Sequence, residues 1–256
     1  MKKRTLFLIL SLTSIALLPS VFISCSHSTE AKLREPKLNF NVDVEEFKNN
    51  HPGFEVYDGE MASYGDGDTF VVNLYRNPKN PTRAFATKIR IQLIDTPESS
   101  DINKDGKYSE AEKKWGKKAS DKVKELIPLN SKVRVFLSGA KTYDREVGTV
   151  FFGENFSRNF SVEMINAGLA RPNGIDFLKT QYENPKHMAN FLAIELAYAF
   201  NSAINNKRGM FSDYPTWQET MKKVFVERGT GTAVYDNLFV GKANSIFKYE
   251  NKNKEK

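Results

Sequence analysis

An α+β domain is the fold class this sequence predicts, with a small β-barrel as one candidate for its sheet. Short alternating apolar runs fill the first half of the chain, and helix-spaced runs interpose and then dominate. A hydrophobic fraction of 40% beside a charged fraction of 27% supplies enough apolar surface for a packed core, which excludes a disordered chain and a multi-span membrane protein. The 256 residues accommodate one domain of ordinary size plus extensions.

The N-terminus reads as an address. Lys2, Lys3 and Arg4 precede an uncharged apolar run over 5–23, and the small Ser24 stands before Cys25. The run is just long enough to cross a bilayer, at roughly 20 residues per crossing, but Pro19 interrupts it. Ile23-Ser24-Cys25 resembles a bacterial lipobox, with Phe22 where leucine is usual, and the one cysteine of the chain falls at this boundary. The expectation is a lipoprotein-type signal over 1–24, acylation of Cys25, and anchorage to the outer face of the cell membrane; two acyl chains suffice for stable attachment. The alternative is an ordinary signal peptide that releases a secreted protein. Loss of 1–24 removes three of the 38 basic residues and none of the 31 acidic ones, so the formal charge falls from +7 to +4. The basic character that suggests an anionic partner is therefore modest.

Residues 25–53 are polar without a sustained period and read as a tether with little fixed structure. A domain is expected over 54–212. Phe70, Val72 and Leu74 alternate with Val71, Asn73 and Tyr75, which predicts a strand. A polar loop with two prolines follows at 77–82, then a strand over 86–94 with Ile89, Ile91 and Leu93 on one face. Further strands are expected at 132–138 and 147–152. Three helices are readable. The first, over 110–127, carries Trp115, Ala119, Val123, Leu126 and Ile127 in one stripe. The second spans 161–167, with Ser161 as cap and Gly168 as terminator. The third spans 186–207, with Pro185 at its start, Met188, Phe191, Leu192 and Tyr198 near one stripe, and Gly209 beyond its end. In the extension 213–256, a helix over 216–227 precedes an apolar, aromatic stretch at 233–240, and the sequence does not decide whether this part joins the core.

The single cysteine excludes a disulfide framework and Cys-based zinc or iron–sulfur sites, and three histidines, at 27, 51 and 187, leave little for a His-rich metal site. Two segments look chemical instead: Asp66-Gly67-Asp68-Thr69 at the start of a strand, and Arg90 followed by Asp95-Thr96-Pro97-Glu98. Strand-end carboxylates suit a hard cation such as calcium or magnesium. Glu98 lies just past the turn at Pro97, and Tyr143-Asp144-Arg145 offers a second guanidinium. Alone, each piece reads as a turn or a surface charge. Together they are the inventory for phosphodiester hydrolysis, in which a cation and arginines neutralise charge on the transition state.

From about Tyr57 to Phe211 the chain resembles the staphylococcal nuclease family. The residues that carry this are Asp66-Gly67-Asp68-Thr69, Arg90 with Ile94-Asp95-Thr96-Pro97-Glu98, Trp115-Gly116 with Ala119, Tyr143-Asp144-Arg145, Asn166-Ala167-Gly168-Leu169-Ala170 and Lys207-Arg208-Gly209-Met210-Phe211. The resemblance implies a five-stranded OB-fold barrel with three helices. It implies Asp68 and Asp95 as calcium ligands with the carbonyl of Thr96, and Asp66 as an acid behind them. It also implies Glu98 as general base or orienter of the attacking water, Arg90 and Arg145 at the scissile phosphate, and Tyr143 near the substrate. Hydrolysis in this family leaves 3′-phosphate ends on DNA or RNA. This chain departs from the pattern where Asp144 replaces a glycine and Glu146 follows, two acids beside Arg145.

Between Glu98 and the first helix, Asp101, Asn103, Asp105, Gly106, Lys107 and Glu112 fit the loop of an EF-hand, without its entry helix. A second calcium ion is expected there, the bland alternative being a solvated polar loop. Ser109 and Glu112 also form a capping box for the helix that follows. The resulting expectation is an exported, calcium-dependent nuclease of low sequence specificity, with DNA or RNA and the membrane as partners and no protein partner inferred. The alternatives are a nucleic-acid-binding module with weak catalysis and a calcium-binding structural surface lipoprotein.

Overall fold

A computed structural model describes residues 33–77, 79–80, 83–100, 108–173, 188–225, 232–242 and 245–247. The leader, Cys25, Pro185 and positions 101–107 of the calcium loop lie outside them. Five strands make the barrel: β1 (Glu55–Tyr64), β2 (Thr69–Tyr75), β3 (Ala84–Ile91), β5 (Lys132–Thr142) and β6 (Arg145–Phe152). Their order is β3-β2-β1-β5-β6, antiparallel throughout, and the parallel pairing of Ile89–Ile91 with Glu146–Gly148 closes the sheet on itself. The fold is therefore an OB-like α+β barrel. Phe70, Val72, Leu74, Ile89, Val133, Val135 and Val150 fill its interior, as alternation requires.

The strand expected over 86–94 is broken. Gln92 N–H bonds to the Gly148 carbonyl at 2.8 Å, Leu93 takes φ +71°, and the two-residue β4 (Ile94–Asp95) leaves the barrel to pair with β7 (Arg171–Pro172). β1 has no counterpart among the expected strands, because Glu55, Asp58, Gly59 and Glu60 interrupt any apolar period. It is held by partners on both sides, and by a fork from Arg134 to Asp58 at 2.6 and 3.0 Å. β5 runs four residues past the expected end and forms, with β6, an arm whose tip is Tyr143–Asp144.

The three helices implied by the resemblance are α2 (Glu110–Leu126), α3 (Phe160–Asn166) and α4 (Met188–Asn205). Ser109 caps α2 by accepting from Glu112 N–H at 3.0 Å, and the expected stripe is buried. Ser161 does not cap α3. That part falls to Asn159, which accepts from Val162 N–H at 3.1 Å, while Ser161 Oγ, buried, donates to the Gln92 carbonyl.

The expected tether is a packed element over its described part. The outer faces of β5 and β6 carry Phe136 and Phe151, which need a cover. Phe40 and Phe47 supply it, with ring centroids 5.9 Å from Phe151 and 4.8 Å from Phe136. Phe47 sits on α1 (Val44–Asn50), whose cap Asp43 accepts from Glu45 and Glu46 N–H at 2.9 Å. Farther upstream, Arg34 forks onto Glu195 of α4 and Glu35 accepts from Ser202 Oγ at 2.7 Å. Phe47→Ala should therefore cost about 3–5 kcal/mol of unfolding free energy, the range for a large aromatic removed from a core. Urea titration checks this; a loose tether would give a change within about 0.5 kcal/mol.

The extension also packs. α5 (Trp217–Val224), capped by Thr216, lies against α2, and a 3-10 segment at Thr232–Leu238 lies on α4. Phe200 of α4 is the hub, with Tyr235 at 5.5 Å and Phe239 at 5.8 Å, and Asn201 Nδ2 donates to the Leu238 carbonyl. Covered on more than one side, α4 buries Leu192, Leu196, Tyr198, Phe200 and Ala203 instead of a single stripe.

Candidate active site

Five of the expected residues line one cleft of about 560 Å³: Asp66, Arg90, Asp95, Glu98 and Arg145. Asp68 and Thr96 stand immediately behind its wall, both buried. The turn before β2 sets Asp68 in place, its N–H donating to Asp66 Oδ1 at 3.2 Å. Gly67 is required there: a Cβ would lie 2.8 Å from both Ala119 Cβ and Thr96 Oγ1, where α2 and the β4 segment close in.

Arg90 joins the two carboxylates. At the end of β3 it donates to Asp68 Oδ1 in a very short contact and to Asp95 Oδ1 at 3.1 Å. Asp68 Oδ2 accepts from Thr96 N–H at 3.0 Å. Burial pushes the Asp68 carboxyl up, to about 7, against the opposing pull of the Arg90 guanidinium. The acids thus gather around positive charge, supplied here by Arg90.

The donor set suits a hard cation, since it offers carboxylate oxygens and no nitrogen or sulfur. Among the described residues no three His, Cys, Asp or Glu side chains converge as a ready cluster. A cation here would take Asp68 and Asp95, with the Thr96 carbonyl and water or substrate oxygens completing its shell.

Glu98 is half-buried on the cleft wall. Its N–H donates to Glu112 Oε1 at 3.4 Å, and a Cβ on Gly116 would strike its carbonyl at 2.3 Å, so α2 rests directly on the Glu98 backbone. Glu112, expected as the last ligand of the calcium loop, is itself fully buried, with its carboxylate turned to this amide. Its N–H makes the capping contact with Ser109 Oγ at 3.0 Å.

Arg145 reaches the opposite wall. Its Nη1 donates to Thr69 Oγ1 at 3.2 Å and its Nε to the Thr142 carbonyl at 3.4 Å. The two neighbouring acids do not take it: Asp144 pairs with Lys88 at 3.2 Å and Glu146 with Lys141 at 2.6 Å. These pairs line a second cleft of about 500 Å³ beside the arm. Tyr143 stands at the arm's tip, 90% exposed, with the Arg145 guanidinium 5.7 Å from its ring centroid.

Arg171 escaped the sequence reading. Cross-strand from Asp95, it donates to Oδ2 from Nε at 3.0 Å, with Nη2 2.9 Å from the same oxygen. Its one sequence signal is a charge closing the apolar run that ends at Ala170. Thr69, which links Arg145 to Asp68, was likewise seen only as part of a turn motif.

Fold and site together define an OB-like barrel carrying an acid–arginine cleft at its strand ends. The chain belongs to the family of staphylococcal nuclease homologues, whose sequence profile matches residues 88–213. It is 32% identical over 221 residues to the uncharacterized lipoprotein MG186 of Mycoplasma genitalium, covering 83% of this chain and 82% of that one. An uncharacterized lipoprotein MG186 homolog of Mycoplasma pneumoniae is 32% identical over 148 residues, 55% of this chain and 49% of that protein.

Proposed function

We propose that this protein is a calcium-dependent phosphodiesterase that hydrolyses DNA and/or RNA with low sequence specificity and leaves 3′-phosphate ends. The observation that carries the reading is the convergence of Arg90, Asp95, Glu98 and Arg145 on a single cleft, with Asp68 held by Arg90 just behind its wall. Arg90 and Arg145 face it with guanidinium groups suited to phosphate oxygens, and phosphate contacts give grip without sequence readout. Asp68, Asp95 and the Thr96 carbonyl hold calcium, which, when bound, withdraws charge from the phosphoryl oxygens. Glu98 takes the proton from the attacking water as its oxygen bonds to phosphorus and the bond to the 5′ oxygen breaks. The 5′ oxygen leaves with the bonding electron pair and takes a proton from solvent to become a hydroxyl, and the phosphate stays on the 3′ side.

With a leader ending at Cys25, this activity would be carried outside the cell on a lipid anchor; that both relatives are named lipoproteins supports the reading. The test is digestion of single- and double-stranded DNA and of RNA by residues 26–256, with calcium or with chelator. Cleavage in calcium alone, with 3′-phosphate ends, is the expected outcome. Full activity in chelator would sink the metal-dependent mechanism. Binding without cleavage would turn the reading to a nucleic-acid-binding module.

A further inference from the structure

We propose that the C-terminal extension is part of the active site, and that it acts through Arg171, a positioning residue for Asp95. The inference rests on the hydrolytic reading for its purpose and on packing for its substance. Arg171 is 6% exposed and sits between two groups. On one side it holds Asp95 Oδ2. On the other its guanidinium lies 4.3 Å from the centroid of the Phe225 ring, and its charge acts on the nearby Tyr235 hydroxyl, opposing the rise in pKa that burial gives that group. Phe225 and Tyr235 both follow the segment matched by the family profile. Tyr235 is fixed in turn by Phe200 and by Trp217, at 5.5 and 6.0 Å.

The two oxygens of Asp95 are therefore held differently. Oδ1 shares Arg90 with Asp68 at the cleft wall, where the arrangement must yield to an incoming phosphate or cation. Oδ2 is held from behind by a planar fork that stays buried. The extension also reaches the other arm of the site. The Lys223 carbonyl accepts from Ser109 Oγ at 3.0 Å, Ser109 caps Glu112, and Glu112 holds the Glu98 amide. Asp213 adds an anchor on the same helix, accepting from Trp115 Nε1 at 3.0 Å.

Charge-preserving variants test this, because removing a cation beside Asp95 would alter calcium affinity by itself. Arg171→Lys keeps the charge and loses the fork; Tyr235→Phe keeps the packing and loses the hydroxyl. Both are made in the 26–256 chain and read in three ways: amide hydrogen exchange of 93–98 in chelator, calcium affinity by calorimetry, and melting temperature. Exchange in 93–98 should rise in both variants. Calcium affinity should fall about tenfold in Arg171→Lys, at the lower end for loss of a partner behind a metal ligand, and less in Tyr235→Phe. Exchange and calcium affinity equal to the parent's in both variants overturn the proposal, as does a fall in melting temperature with no local change at 93–98. A parent that cuts no nucleic acid while 93–98 loosens in the variants refutes the hydrolytic reading and leaves the positioning role standing.

Discussion

Arg90→Ala is expected to damage fold and activity together. The side chain of Arg90 is 19% exposed and lies between Asp68 and Asp95, whose side chains are 2% and 7% exposed. Asp95 keeps Arg171 when Arg90 is lost. Among the described residues, Asp68 then retains the Thr96 N–H and the Thr69 hydroxyl. Removing one partner of a buried ion pair costs about 3–5 kcal/mol, because the remaining charge is stranded. At roughly 2–4 °C per kcal/mol in a protein of this size, melting should fall by at least about 6 °C. The Asp68 carboxyl, already raised to about 7 by burial, would rise further without its cation. More of it is then protonated at neutral pH, and a protonated carboxyl is a poor calcium ligand. Cleavage should drop by about 10³-fold or more, since a phosphate donor and an ordered ligand go at once. Thermal unfolding in chelator and digestion in calcium check the two halves. A variant that melts with the parent would show that Arg90 does not organise the pair.

Glu98→Gln should do the reverse, abolishing most of the activity while leaving the fold untouched. The side chain is half-buried at the cleft, and the backbone of residue 98 is anchored by the Glu112 carboxylate and the close approach of Gly116. Glutamine keeps the shape and those contacts but cannot accept a proton. The expected loss in kcat is about 10²–10⁴-fold, with melting temperature and calcium affinity as in the parent. A kcat within a few-fold of the parent's would remove Glu98 from the proton transfer and leave water to deprotonate by another route.

The contrast between these residues marks what sequence can convey. Asp66, Asp68, Arg90, Asp95, Thr96 and Glu98 were legible because they fall in two short segments beside strand ends, 66–69 and 90–98, although the contacts between the segments span 22 and 28 residues. Arg171 was not, since it meets Asp95 only through the pairing of two short strands 76 residues apart. Glu112 was legible as a residue but not in its surroundings: the loop pattern fixes its number, while packing turns its carboxylate toward Glu98. The same division holds for the fold. Alternation announced β2 and helical spacing announced α2, because one face of each meets the core, while α4, covered on more than one side, was legible from its length and from Gly209 beyond its end. β1 and α1 had no such period. β1 is a half-exposed strand stabilised by two neighbours, and α1 contributes one buried aromatic, Phe47, to a surface made elsewhere.

The fastening of Arg34 and Glu35 onto α4 also sets a length. With the chain held at Arg34, eight residues separate the folded body from Cys25. A fully extended chain of that length reaches about 30 Å, close to the thickness of a bilayer's own hydrocarbon core. An enzyme acylated at Cys25 would then be a short-leashed one. It would work in a thin layer against the cell that carries it, on polymers that come to that surface, and its rate would depend on how densely the membrane is populated as well as on the cleft.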